Sequence, residues 1–345
     1  MKQQHACAHL GSDFYELVLA ALAQNYVDGG ITRELLSGVS DRPVHDALPL
    51  RLLGGLHAIA LSKIDAELSS QFPSTEGTPN GALQAVVLAS LNRHKETLSQ
   101  AVRHNAQTNE VGRSVVAMSI ARWLPSIGAT TCRWFEVGAS AGLNLNFPRF
   151  HAFTGTTELG DPGSVISFGP DWFAESPPHG TSTECVELRG CDPFPIDVTN
   201  AEQQRKLLGF VWPDQAARLA RLRHAIDIAI AHPPRVDRAE AGPWLASFDA
   251  SPQHDDQATV VYHSIVWQYM SPESRQDFLR QLQLLGEKSS LARPVVWARM
   301  EPAGDTADIR ATVWTGGDKP RQVELGHVGY HGQNLHWSPR DLVEG

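Results

Sequence analysis

The chain has 345 residues, of which 42% are apolar and 19% charged, and its formal net charge is −9. That is ordinary globular composition, long enough for two domains and for a core that can support a cleft. No Lys/Arg-rich run occurs, so a small-molecule partner is favoured over nucleic acid, and no stretch reaches the ~18 uninterrupted apolar residues of a membrane span.

In chain order, Met1–Gly11 shows no leader pattern, and the expectation is a soluble cytoplasmic protein. Ser12 or Asp13 is placed to cap a helix over Phe14–Asn25, which Gly29-Gly30 ends. Leu48–Leu68 carries Leu52, Leu53, Leu56, Ile59, Ala60 and Ile64 at helical spacing. Phe72–Gly81 is rich in Pro, Ser, Thr and Gly and reads as a loop. Ala82–His104 is a third helix and Val111–Leu124 a fourth, with Thr108 and Asn109 as candidate caps.

After about residue 130 the period changes. Cys132–Val137, Val186–Arg189, Arg235–Asp237, Thr259–His263, Val295–Arg299 and Ile309–Trp314 read as strands. Helical stretches at Glu202–Leu208, Asp214–Ala231, Ala239–Phe248 and Ser271–Leu285 alternate with them, which predicts a mostly parallel sheet covered by helices. Ile309–Trp314, Gly316-Gly317 and Gln322–Leu325 suggest an edge hairpin. Phe150–Thr183 breaks the alternation and is expected to be an inserted hairpin and loop over a cleft. The expected organisation is a helical domain over residues 1–125 and an α/β domain over 126–345.

Cys7, Cys132, Cys185 and Cys191 form no CxxC pair and fit a reducing compartment. Cys185 and Cys191 could join a histidine at a metal; the simpler reading is two half-buried thiols near one strand, and no metal site is assigned.

The most informative stretch is Trp134-Phe135-Glu136-Val137-Gly138-Ala139-Ser140-Ala141-Gly142-Leu143-Asn144, a strand, a small-residue turn and a helix start. Small residues let the backbone approach a ligand, and free N–H groups at a helix start favour an anionic or polar group. The glycines do not spell the dinucleotide fingerprint G-x-G-x-x-G. Glu136-x-Gly138-x-x-x-Gly142 instead resembles the first motif of class I S-adenosylmethionine-dependent methyltransferases, with Ser140 at a position where glycine is commoner and Pro148 limiting the following helix to about two turns. The resemblance implies a Rossmann-like fold and a Glu136 carboxylate on the cofactor's amino group.

The same residues spell Gly138-x-Ser140-x-Gly142, the nucleophile elbow of α/β-hydrolases. Against that reading, the upstream region is helical, no HGGG-type segment is present, and Glu136 has no role. Asp237 followed by His327 or His331 does preserve the hydrolase order.

Under the methyltransferase reading, Asp192 ends the second strand and would bond the ribose, although it lies 50 residues beyond Gly142 where about 20 is usual; the alternative is a turn aspartate before Pro193. Asp237 and Glu240 are candidates for the adenine amino group or for a helix start. His263, Ser264 and Gln268 follow the fourth strand; His263 is a candidate general base or a structural, hydrogen-bonded histidine, and Ser264 and Gln268 are candidate substrate contacts. Asn109, Glu110 and Arg113 are candidate substrate contacts or a capped helix start.

Taken together, Gln107–Arg113, Glu136–Leu145, Arg189–Asp192 with Pro195–Asp197, Phe210–Gln215 and His263–Tyr269 resemble an uncharacterised bacterial family, domain of unknown function 2332. The resemblance spans nearly the whole chain and implies a bacterial protein with a methyltransferase-like fold, but no reaction. The leading expectation is a methyltransferase that uses S-adenosylmethionine on a small molecule. The alternatives are a non-catalytic cofactor-binding protein and a Ser140 hydrolase.

Overall fold

A computed structural model of the chain describes residues 12–43, 46–104, 107–175, 177, 180–317 and 319–342, so Cys7 and the N-terminal leader expectation lie outside the described residues. Two compact units result. One takes the described residues up to Thr108 together with Asp197–Arg223; the other takes Asn109–Ile196 and the chain from His224. The units are therefore not contiguous about residue 125: residues 109–125 belong with the sheet, and 197–223 return to the helices.

In the helical unit Asp13–Val27 starts at Ser12, whose hydroxyl accepts from the Tyr15 amide at 3.1 Å and donates to Asp214 at 2.9 Å. Leu48–Leu68 spans two helices, because Lys63 takes a φ of 59° and Asp65 caps a new start at Ala66 by accepting the Leu68 amide. Ala82–His104 is likewise broken at His94 into Leu83–Arg93 and Lys95–Ala101. Gly54 and Gly55 are tolerated inside Leu48–Ser62 because neighbours need the room: a Cβ on Gly54 would meet the Phe210 ring at 2.8 Å, and one on Gly55 would meet Ala101 at 2.9 Å. Leu52, Leu56, Phe14, Phe72, Leu91 and Trp212 share the resulting core.

His57 is sealed in this unit, its Nδ1 3.2 Å from the Gly209 carbonyl and its Nε2 2.7 Å from the Ser74 hydroxyl. Burial lowers its pKa from 6.5 to about 4, against the opposing pull of the Gly209 and Val211 backbone. The unfolded chain thus binds a proton that the native imidazole refuses between pH 6.5 and 4. Stability from this residue is present above that window and lost as pH falls through it, a change of about 3 kcal/mol at ~1.36 kcal/mol per pH unit. Acid titration of urea midpoints should show this slope, and a His57→Gln chain should lack it.

The other unit is a mixed α/β structure. Its strands are β1 (Thr131–Val137), β2 (His151–Phe153), β3 (Glu158–Gly160), β4 (Ser167–Phe168), β5 (Phe173–Glu175), β6 (Glu184–Asp192), β7 (Arg235–Arg238), β8 (Gln257–Ser264), β9 (Val295–Ala303), β10 (Thr306–Trp314), β11 (Arg321–Val328) and β12 (Leu335–Asp341). Nine form one sheet in the order β5-β12-β11-β10-β9-β8-β1-β6-β7. From β7 to β9 all neighbours are parallel, and β9 through β12 are antiparallel. The anticipated edge hairpin is thus three turns of meander, closed by β5 against β12.

Successive side chains of β1 point to opposite faces. Phe135 and Val137 pack with Trp244, Val261 and Phe278 on one face. Cys132, Trp134 and Glu136 occupy the other, where the Trp134 ring lies 4.9 Å from Phe147 and 5.2 Å from Tyr262. The chain leaves β1 through a seven-residue 3₁₀ segment, Leu143–Arg149, instead of an α-helix, with Pro148 inside it. The 150–183 segment then builds a small sheet, β3-β2-β4, before supplying β5. Among the described residues no helix is long and apolar enough to cross a membrane.

Candidate functional site

In the parallel part of the sheet the chain runs outward in both directions from β1: through β6 to β7 on one side, and through β8 to β9 on the other. Open α/β sheets bind ligands at such a switch point, outside the strands' carboxyl ends. The register brings Glu136 of β1 opposite Gly190 of β6 and Tyr262 of β8, so Asp192 and Ser264 project just beyond Glu136 on its two neighbours. Gly190 permits this because a Cβ there would meet Ala139 at 2.7 Å.

Glu136 is 3% exposed, and its Oε2 has no hydrogen-bond partner. Burial raises its pKa from 4.5 to about 8, with Arg113 opposing and Asp192 adding to the rise. Arg113 is itself half-enclosed by backbone: its Nε donates to the Tyr330 carbonyl at 3.0 Å and Nη1 to the Ser264 carbonyl at 3.4 Å. The turn carrying it, Val111–Arg113, crosses residues 331–332 so closely that a Gly112 Cβ would meet the His331 carbonyl at 2.1 Å. His331 Nδ1 lies 3.3 Å from Glu110 Oε2. Burial, and then the Glu136 carboxylate, push the Tyr262 hydroxyl up.

The turn after β1 corrects one expectation. Its amides are largely spent within the protein: Ala139 donates to the Cys191 carbonyl (3.0 Å), Ser140 to Asp192 Oδ2 (2.9 Å), Gly142 to Ala139 (2.7 Å) and Leu143 to Asn109 Oδ1 (3.0 Å). Asn109 therefore braces this turn, while Glu110 caps its own helix start through the Gly112 amide at 3.2 Å. Asp192 also accepts from Phe194 at 2.8 Å, and burial raises its pKa in spite of both amides. Gly138 and Gly142 both have a φ of 69°, and Ser140 has 54°, an uncommon conformation for a side-chain-bearing residue. Ser140 Oγ is buried without a partner.

His263 does not present a free nitrogen. Its Nε2 accepts from Trp297 Nε1 at 3.0 Å, so the proton sits on Nδ1, 2.6 Å from Glu301 Oε1. The same Glu301 oxygen accepts the amides of Val266 (3.0 Å) and Trp267 (3.2 Å). This holds Ile265 at a φ of 55°, a strained value for a β-branched residue. Val266 is thereby laid over Gly138, where a Cβ would meet its Cγ2 at 2.5 Å. Gly138→Ala should cost about 2–4 kcal/mol from clash and left-handed backbone together. Urea denaturation should show Val266→Ala recovering the clash portion.

Asp237 and Glu240 stand apart from this cluster. Asp237 accepts from Arg189 Nε (2.6 Å) and Trp244 Nε1 (2.8 Å), and Glu240 is exposed beside the Ser274 hydroxyl at 3.3 Å. Burial would raise the Asp237 carboxyl, but the Trp244 and Arg189 contacts hold it below its ordinary value. Gln268 is half-buried in the turn Trp267–Tyr269. Cys185 does not pair with Cys191; it faces Cys132 across the strands with the sulfurs 3.4 Å apart. Among the described residues no group of three or more His, Cys, Asp or Glu could hold a metal ion. The structure thus gathers Glu110, Arg113, Glu136, Ser140, Asp192 and Ser264 at one sheet edge. It adds Tyr262, Glu301 and His331, which strand-end logic applied to β9 would have found only for Glu301.

No curated protein and no solved structure matches this chain. A family model described as "Uncharacterized protein conserved in bacteria (DUF2332)" matches residues 1–337. The chain belongs to that bacterial family.

Proposed function

We propose that this sheet edge binds S-adenosylmethionine and that the protein is a small-molecule methyltransferase of Rossmann-like fold. The observation that carries the reading is Glu136: a buried carboxylate at the exit of the central strand, with Oε2 unpartnered, at the β1/β8 switch point. A buried polar atom without a partner calls for an explanation, and an ammonium group supplies one. The bound cofactor would supply an activated methyl group. Glu136 would grip its amino end, Asp192 would meet the ribose, and Arg113 and Ser264 would orient the second substrate. His263 acts by holding Glu301, not as a base, and Asp237 and Glu240 are not needed for the adenine.

Grip in this reading comes from side chains, since the turn amides are already used. The Ser264–Trp267 turn must move to admit a ligand, and the strained Ile265 marks where it would yield. Calorimetric titration tests the proposal: S-adenosylmethionine should bind the folded protein, and Glu136→Gln should weaken binding about tenfold or more, the loss of one charge-assisted contact. Absence of heat at millimolar cofactor would contradict it.

One observation favours the hydrolase: the positive φ of Ser140, as a nucleophile elbow requires. Its Oγ lacks the histidine that would activate it, since it has no hydrogen-bond partner at all. Labelling of Ser140 by a fluorophosphonate would reverse the choice.

A further inference from the structure

A cavity of about 460 Å³ lies between the helix Ser114–Trp123, the Leu143–Arg149 segment, β3 and the entry into β6. Small-ligand sites commonly span roughly 300–1,000 Å³. Cys185 lines it at the start of β6, and Asp192 ends the same strand seven residues on. At ~3.3 Å per residue the cavity and the cofactor edge are ~23 Å apart, with Trp134 packed between them on the shared face of the sheet.

Met118, Phe147 and Leu159 give the cavity an apolar wall. Arg122, one helical turn on from Met118, places a cation in that wall while only 8% exposed. Its Nη1 donates to the Gly180 carbonyl and its Nη2 to the Glu158 carbonyl at 2.9 Å, whereas Nε has no partner. Carbonyl oxygens solvate a guanidinium without neutralising it, and burial disfavours a charge left in that state. The two acids at the rim do not supply the missing charge. Glu158 and Asp161 are exposed, and Asp161 accepts the Gly163 amide at 2.9 Å. One buried cation beside an apolar wall suits a monoanion with a hydrocarbon body better than a phosphate dianion, which needs several donors.

We infer that this cavity is a second binding site, for a small organic monocarboxylate whose carboxylate pairs with Arg122 and whose hydrocarbon part packs on Met118, Phe147 and Leu159. It stands independently of the cofactor reading, because none of its residues belongs to the β1/β8 edge.

The test uses octanoate and its neutral counterpart octanol on the full chain. Octanoate should bind about tenfold or more tightly than octanol, the increment of a charge-assisted contact. It should also slow alkylation of Cys185, read by peptide mass spectrometry, because that thiol lines the cavity. Arg122→Met should bring octanoate down to the octanol affinity, and Arg122→Lys should restore part of the difference. Equal affinity for the two ligands, no octanoate binding to folded protein, or binding that leaves Cys185 unprotected would each overturn the inference. Should the Arg122→Met chain fail to fold, the ligand comparison and the Cys185 protection on the unaltered chain decide it.

Discussion

Replacing Glu136 with glutamine should stabilise the protein at pH 8 by about 3–5 kcal/mol and leave it nearly unchanged at pH 5. The sign follows from burial. The unfolded carboxyl ionises near 4.5, whereas the native one holds its proton to about 8. Between those values the native state binds more protons, so stability falls as pH rises, and the loss is complete once the native group ionises. Glutamine keeps the shape of the protonated acid and removes that dependence. Urea midpoints of both chains at pH 5, 6.5 and 8 measure it; a pH-independent difference would mean that Glu136 is solvated. An acid that weakens its own fold at neutral pH is a mark of sites kept for chemistry, where perturbed ionisation gathers.

Trp134→Ala should cost about 3–5 kcal/mol, the range for truncating a large buried aromatic. Trp134 is wholly buried and contacts Phe147 and Tyr262, one from the segment that leaves β1 and one from the strand beside it. No other side chain on that face of β1 fills the span between Cys132 and Glu136, so relaxation cannot close the void. Thermal or urea denaturation gives the value. Trp134→Phe, which keeps most of the volume, should recover more than half of it, and a loss under about 1 kcal/mol for the alanine change would show that the face is loosely packed.

The sheet was legible because its strands announce themselves by period: each of Cys132–Val137, Val186–Arg189, Thr259–His263 and Val295–Arg299 lies inside an observed strand. Glu136, Asp192 and Ser264 could be placed together for the same reason, each standing at a strand's carboxyl end. What periodicity does not carry is which nitrogen or oxygen meets which. His263 stayed open between a general base and a structural, hydrogen-bonded histidine because nothing local announces Trp297 and Glu301, which come from the neighbouring strand some 34 and 38 residues later. Asp237 stayed open between an adenine contact and a helix start for want of any local sign of the Arg189 and Trp244 partners that consume it. Helix boundaries failed at Lys63 and His94, where a left-handed backbone or a changed turn interrupts an apolar stripe that continues unbroken. The return of residues 197–223 to the helical unit had no local signal either, since long-range contacts with Ser12, Tyr15 and His57 decide it.

In the proposed reading Glu136 is held protonated and unpartnered until a cationic ligand arrives. Calorimetry of S-adenosylmethionine at pH 7 in two buffers of different ionisation enthalpy reads that proton. Close to one proton should be released per cofactor bound to the unaltered chain, and none with Glu136→Gln, whose binding should also be weaker. Cofactor binding of equal strength in both chains, with no buffer dependence in either, would contradict it.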